Sequence, residues 1–505
     1  MPFPFFVTSQ PTSEEWPTSF LPVLKREAQH ASIYTLATVT TQVGSFLVVP
    51  LFWRKLSLAD YGIISLTEVI GTFMTLFVGI SLDTSITRFY YEWPDALRKR
   101  LVGTLWVLNW LSCAVFGVFA TVLIWLGSSF LFPDVAFYPY LFLGLILTTI
   151  RSLFVVPYAT IRIVNSPRLY TTYSLVNFSV QMSLNILFVL VLDKHLYGYF
   201  TSSILGAGVV AALGGVIMLR FATPCIEKEG LRESLRFSLP SIPTSILSAI
   251  TQVLDRFLLQ QFASLEVLGV YAVSLKFTNL LVYLHNALKL SYVPFMVKSI
   301  SDDCKSGVQM LMRVRLLYLF PLFVTGLTVA VFVRDFVQLS GRSEYSQVAA
   351  WVPWLVGPAL ISTLTIYLAP GLFLAKRTDL TWIPQNVQLS AVVVAGFALI
   401  PRFQLTGVVI SRYFSTVSLF VVTLVISQRQ YPIAAQWRRL GLMSSFLVIG
   451  GVLANIVVLE SRLTGMLIRA LIVAGAAVAV GGVAVGNTLG TRSALKRFVL
   501  TRVGL

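Results

Sequence analysis

Six basic and three acidic side chains interrupt stretches that are otherwise apolar: Arg151, Arg256, Lys276, Lys289, Arg412 and Arg469 against Glu68, Asp83 and Asp255. Charge is costly in hydrocarbon, so each group must pair, line a wet cavity or reach an interface. Lys289 and Arg469 lie near the ends of their stretches and can extend toward headgroups. Asp83, near a cytoplasmic end, reads as structural. Arg151, between Ile150 and Ser152, is too deep for either. The excess of bases predicts a cationic cavity, with Arg151, Arg256, Lys276 and Arg412 as its anion-binding groups. A guanidinium is weakly hydrated and matches phosphate geometry, so the favoured solute is an anion. Glu68 and Asp255 are candidate proton or cation sites; ion pairing of either with Arg256 or Lys276 is the competing reading.

Polar residues add to this pattern. Ser241, Ser245, Ser248, Gln252 and Asp255 follow one another at steps of four and three, which keeps them on one helical face. Asn177, Gln181 and Asn185 are spaced by four, and a third group holds Thr38, Thr41, Gln42 and Ser45. Stripes rich in amides and charge predict a shared aqueous lumen. Ser and Thr alone serve equally well as packing contacts between helices. His285 and Lys289 share a face, whereas Lys276 lies nine residues before His285 and points elsewhere. Catalytic chemistry is not legible. Cys113, Cys225 and Cys304 are far apart, and His30, His195 and His285 form no ligand cluster, so neither a disulfide framework, a metal site nor a cofactor is expected.

These side chains sit on long apolar helices. The 505-residue chain is 56% hydrophobic and only 12% charged, with a mean hydropathy of +0.81. About fourteen apolar stretches of roughly 18–25 residues run from about Ala31 to Val485, each long enough to span a bilayer. The runs are continuous rather than alternating, which excludes a β-barrel. The expected fold is an all-α polytopic membrane protein of about fourteen transmembrane helices. Residues 1–29 read as a cytoplasmic tail, not a signal peptide, since Glu14 and Glu15 precede any early base.

Charge placement sets the orientation. With a cytoplasmic N-terminus, inside segments hold about 25 Lys and Arg and outside segments about 7. Both termini are therefore expected in the cytoplasm and the chain in the plasma membrane. Much of the net charge of +17 is topogenic and attracted to anionic lipid headgroups. Nucleic acid is excluded as a partner, because no basic domain stands apart from the membrane.

The chain also repeats itself at an offset of 207 residues. Ser57, Leu58 and Gly62 in one turn match Ser264, Leu265 and Gly269 in another. Six stretches separate the matching helices, so the copies enter the membrane in the same direction. The expected organisation is a first six-helix bundle (30–219), a cytoplasmic linker (220–236), a second bundle (237–427), two further helices (428–486) and a basic tail (487–505). Two parallel bundles around a cleft is a transporter architecture. Prolines within or beside the stretches, among them Pro321, Pro353 and Pro358, supply kinks that suit moving helices.

The segment from Tyr34 to Tyr91 resembles the N-terminal part of polysaccharide biosynthesis flippases, in Leu56, Ser57, Tyr61, Gly62, Gly79, Arg88 and Phe89. Asp255, Arg256, Gly269, Tyr271 and Lys276, with the run 290–295, resemble the start of that family's second bundle. The resemblance implies the multidrug/oligosaccharidyl-lipid/polysaccharide exporter superfamily, in its O-antigen or capsule repeat-unit branch. It further implies export of an undecaprenyl-pyrophosphate-linked oligosaccharide from inner to outer leaflet. A proton or cation gradient acting through Glu68 or Asp255, and polysaccharide assembly partners, are further expectations. The residues agree. Pyrophosphate suits Arg151, Arg256, Lys276 and Arg412. The sugar suits Thr38, Gln42, Asn177, Gln181, Asn185, Ser245, Ser248 and Gln252. Three alternatives stay open: a drug or organic-ion exporter, which would want an acidic or aromatic cavity; a membrane-embedded polysaccharide-synthesis enzyme, for which no Asp-x-Asp pair or long outer loop is seen; and a membrane scaffold, which needs no charge at mid-membrane.

Overall fold

The computed structural model describes residues 40–79, 82–164, 166–238, 242–302, 304–339, 341–375, 377, 380–433, 436–456 and 462–485. Thr38, Ser241 and the expected tails 1–29 and 487–505 lie outside the described residues. Among the described residues every regular element is helical. That is what an apolar chain must do in lipid, where each backbone N–H and C=O has to be satisfied within its own segment.

The elements run α1 (Thr40–Trp53), α2 (Leu58–Gly79), α3 (Leu82–Phe89), α4 (Asp95–Leu131), α5 (Phe142–Ser152), α6 (Val155–Ile163), α7 (Pro167–Asn185) and α8 (His195–Phe221). The amphipathic α9 (Lys228–Ser238) follows. Then come α10 (Ile242–Phe262), α11 (Leu265–Asp302), α12 (Cys304–Gln338), α13 (Ser346–Leu368), the short α14 (Gly371–Leu374), α15 (Trp382–Gln430), α16 (Trp437–Ile456) and α17 (Arg462–Val485). Nine helices among the described residues are long and apolar enough to cross a membrane. The chain is a multi-pass membrane protein.

The 49-residue α15 carries two of the expected stretches, 382–400 and 406–427. It breaks between them at Gln404, whose φ of 47° and ψ of −121° are not helical. Pro401 removes a backbone donor there. Gly407 lets the chain turn back against the Leu399 carbonyl, where a side chain would collide. Gly396 then faces Ser411 across the hairpin.

Serines start the two matching helices. Ser57 precedes α2, where its Oγ accepts from Asp60 N at 3.2 Å while its own N donates to Asp60 Oδ2 at 2.7 Å. This reciprocal cap satisfies two orphan donors of the first turn. Ser264 precedes α11 and accepts from Val267 N at 3.4 Å. Five residues after each serine stands a glycine, and each meets the other copy's turn. Gly62 lies against the Leu265 carbonyl and Gly269 against the Leu58 carbonyl, so closely that neither leaves room for a Cβ.

Around these turns α1, α2 and the start of α11 pack with the ends of α12 and α13. Phe46 stacks on Phe336 at 4.8 Å and Trp53 on Tyr345 at 5.0 Å. Tyr345 Oη donates to Leu56 O at 2.7 Å, and Arg342 Nη1 to the same oxygen at 2.9 Å. Gln261 of α10 donates to Leu131 O at the end of α4, at 2.6 Å. At the other end α9 lies on α3 and α4: Ser238 Oγ and Ser85 Oγ are 2.5 Å apart, and Arg100 pairs with Glu227 at 3.1 Å. Arg469 does not reach for headgroups. It is buried on α17 and bonds Asp335 of α12 at 2.6 Å. That pair docks α17 onto the rest of the protein.

Candidate functional site

Glu68 projects from the middle of α2, half exposed, and Arg256 approaches it from α10 with Nη1 at 3.0 Å from Oε2. The two residues are 188 apart in sequence, so the contact joins the part of the chain before the linker to the part after it. The Arg256 Nε is buried and meets no acceptor among the described residues. Lys276, one helix on, places its ammonium 4.7 Å from the ring centre of Tyr61. It shares a cavity wall with Glu68 and Arg256. Arg151 stands exposed in the last turn of α5 and is in the wall of neither cavity beside Arg256. Two of the four expected anion-binding groups, Arg256 and Lys276, therefore share a cavity wall with one carboxylate.

Arg256 also separates two cavities. One, of about 220 Å³, has Gln42, Ser45, Tyr61, Glu68, Lys276 and Tyr283 in its wall. The other, of about 320 Å³, has Ser248, Gln252, Trp382, Gln385, Asn386 and Arg412. Arg256 and Asn279 belong to both. The α10 stripe thus faces a cavity through Ser248 and Gln252, and Gln252 donates to Ser248 O at 3.3 Å. Ser245 is half-buried on the same helix, outside the walls of the two cavities.

Asp255 turns the other way and is buried. Arg412 holds it with Nη2 at 2.5 Å and Nε at 2.7 Å, both on Oδ2, a charge-assisted contact stronger than a neutral hydrogen bond. Tyr271 Oη donates to the same carboxylate. The partner of Asp255 is thus Arg412, not Arg256 or Lys276. The stripe on α7 is engaged with its neighbours: Asn177 donates to Tyr158 Oη at 3.3 Å, Gln181 to Ser203 O at 3.4 Å, and Asn185 Oδ1 accepts from Ser202 Oγ at 2.7 Å. These three amides stitch α7 to α6 and α8.

Several wall residues escaped the sequence reading: Tyr61, Asn279, Tyr283, Trp382, Gln385 and Asn386. Asn279 stands three residues after Lys276, one helical turn on, and that spacing could have flagged it. Among the described residues no cluster of His, Cys, Asp or Glu could hold a metal ion. A larger cavity of about 660 Å³ lies at the ends of α12 and α13, by Arg334 and Arg342. It shares no wall residue with the two cavities beside Arg256, and Arg342 there is already bonded to the carbonyls of Trp53 and Leu56 and to Glu344.

The arrangement can bind an anion. It offers a guanidinium with a donor to spare, a second cation in the same cavity wall, neutral amides in both walls, and a half-exposed carboxylate paired with the guanidinium. No curated protein sequence matches the chain. Solved structures do match in fold. The lipid II flippase MurJ, in an inward closed conformation, superposes with a TM-score of 0.64 over 93% of this chain and 99% of its own, at 12% identity. A multidrug resistance MATE family transporter of the MOP superfamily, facing inward, gives 0.55 over 79% and 94%, at 14% identity. A mutant of the Vibrio cholerae MATE transporter VcmN gives 0.53 over 82% and 98%, also at 14%. The chain therefore has the fold of these transporters. A family model described as polysaccharide biosynthesis protein matches residues 28–300, more than half of the sequence, and the chain belongs to that family.

Proposed function

We propose that the protein moves a polyprenyl-pyrophosphate-linked oligosaccharide from the inner to the outer leaflet of the plasma membrane, by alternating access, for synthesis of a cell-surface polysaccharide such as O-antigen or capsule. The observation that carries this reading is Arg256, poised between two polar cavities with Lys276 beside it. The pyrophosphate displaces Glu68 and takes the bonds of Arg256 and Lys276. The sugar occupies the amide-lined cavity, and the apolar tail stays in lipid. The family membership and the fold shared with the lipid II flippase MurJ support a lipid-linked substrate.

Two bundles, 30–219 and 237–427, form the moving parts, with the pair 428–486 docked on the second. The reciprocal Gly62 and Gly269 contacts support this, since a two-fold relation makes each copy touch the other through the same residues. Both termini are cytoplasmic, which puts the touching turns outside and opens the cleft inward. Glu68–Arg256 is then the ion pair that must break when the outer end opens. It is a two-state element that a proton or cation gradient can bias. Asp255–Arg412 lies within one bundle and need not break. Assembly enzymes at the outer face take the product.

A cation exporter would need an unclaimed acid in the cleft. Here Asp255 and Glu68 are held by Arg412 and Arg256.

The test is a leaflet-exchange assay in proteoliposomes with a fluorescent polyprenyl-pyrophosphate oligosaccharide and an impermeant quencher. Wild-type protein should expose the lipid to the quencher, and Arg256→Gln should not. Equal exchange by both would remove the cationic cleft from the mechanism.

A further inference from the structure

The 320 Å³ cavity beside Arg256 has a composition of its own. Trp382 opens α15 with its ring more than half exposed. Gln385, Asn386 and Gln388 follow on the same helix, and Gln252, Asn279, Ser248 and Thr251 complete the polar wall from α10 and α11. Five carboxamides and two hydroxyls thus surround one indole. Asn386 Nδ2 is tied to the Trp382 carbonyl at 2.9 Å, which fixes its rotamer and leaves its Oδ1 to accept from a ligand.

A Trp at a helix end ordinarily sits in the aromatic belt at the membrane surface. This one shares a cavity wall with the half-buried Asn279, Asn386 and Gln388 and with Arg256 and Arg412, a set of directed polar groups that a belt position facing headgroups does not require. An acyl or prenyl chain does not fit either, because it would bury amides without partners. What fits is a flat apolar face with hydrogen-bonding groups around its edge. A pyranose ring has that shape: axial C–H groups stack on indole while equatorial hydroxyl or acetamido groups bond to amides.

Charge narrows the class further. The wall holds Arg256 and Arg412 and no carboxylate. Asp255 is taken by Arg412 and Tyr271, and Glu68, which the pyrophosphate releases, belongs to the wall of the other cavity. A sugar with a free amine would bring a positive charge to a wall that offers no counter-ion.

We infer that this cavity is a monosaccharide subsite, built on Trp382, that seats the sugar next to the pyrophosphate and selects an uncharged or N-acetylated pyranose over a free amino sugar. The inference rests on the proposed lipid-linked substrate and adds which residues read its sugar. Trp382 stacks the ring, Gln385 and Asn386 read its edge, and Arg256 holds the phosphate between the two cavities.

The experiment measures binding to purified full-length protein in nanodiscs, with two probes: polyprenyl pyrophosphate, and the same lipid carrying one N-acetylglucosamine. Wild-type protein should hold the glycosylated probe more tightly. Trp382→Ala should weaken that probe about tenfold and leave the bare pyrophosphate within about twofold, while Trp382→Phe keeps most of the affinity. Gln385→Ala, which leaves the indole in place, should also weaken only the glycosylated probe. Replacing N-acetylglucosamine by glucosamine should mimic the Trp382→Ala loss in wild-type protein. Equal binding of both probes by wild type overturns the subsite and leaves the pyrophosphate reading standing, as does an equal loss of both in Trp382→Ala. Binding of neither probe overturns the underlying reading and the subsite with it.

Discussion

A methyl group added at Gly269 should open the outer end of the protein. It would land on the carbonyl oxygen of Leu58, and a methyl at Gly62 on that of Leu265. Both obstacles are backbone atoms at capped helix starts, so neither can rotate away. Overpacking of this kind costs about 1–3 kcal/mol. Only the state in which the turns touch bears that cost, and about 1.4 kcal/mol is tenfold in the balance between closed and open outer ends. The reporter is a cysteine at Ser65, which is buried beside the small cavity under the turns, in a chain whose three native cysteines are replaced. An impermeant maleimide applied outside should label it about tenfold faster in Gly269→Ala than in the parent. Gly208→Ala is the control, because nothing lies within 4 Å of its added carbon. Unchanged labelling in a folded Gly269→Ala, or the same acceleration in Gly208→Ala, would refute the reasoning.

Arg256→Lys should restore part of the exchange that Arg256→Gln loses, since an ammonium keeps the charge but not the fork; the quencher assay reads both. Glu68→Gln should alter the response of exchange to an imposed proton or cation gradient, whereas Asp255→Asn should leave that response unchanged and lower thermal stability by about 1–3 kcal/mol, the cost of weakening charged hydrogen bonds to a guanidinium that stays 30% exposed. Asp335→Ala should destabilise through Arg469, and the double change Asp335→Leu with Arg469→Met should recover most of the loss, as buried pairs replaced by apolar groups often do. Thermal unfolding in detergent measures all three.

Helices were legible because hydrocarbon demands about 20 apolar residues in a row, a signal that survives without knowing any neighbour. The break in α15 was legible for the same reason: Arg402 and Gln404 interrupt the apolar run beside Pro401. The matching turns were visible as letters, yet their reciprocal contact was not, because spacing says nothing about which surface a glycine meets. The α7 stripe shows the same limit. A spacing of four places Asn177, Gln181 and Asn185 on one face, and only the fold reveals that α6 and α8 lie there. Pairing was hardest. Glu68 with Arg256 was among the pairs the charges suggested, but Asp255 found Arg412 and Arg469 found Asp335, partners 157 and 134 residues away. Trp382, Gln385 and Asn386 escaped notice because they open an apolar stretch, where Trp and amides are expected at an interface.

The most direct measurement of the central claim is a structure of the full chain bound to a polyprenyl-pyrophosphate-linked sugar. Density for the pyrophosphate should lie about 3 Å from the donors of Arg256 and Lys276, with Glu68 released from Arg256 and the first sugar over Trp382. Density for the headgroup elsewhere, with Glu68–Arg256 intact at 3.0 Å, would contradict the account.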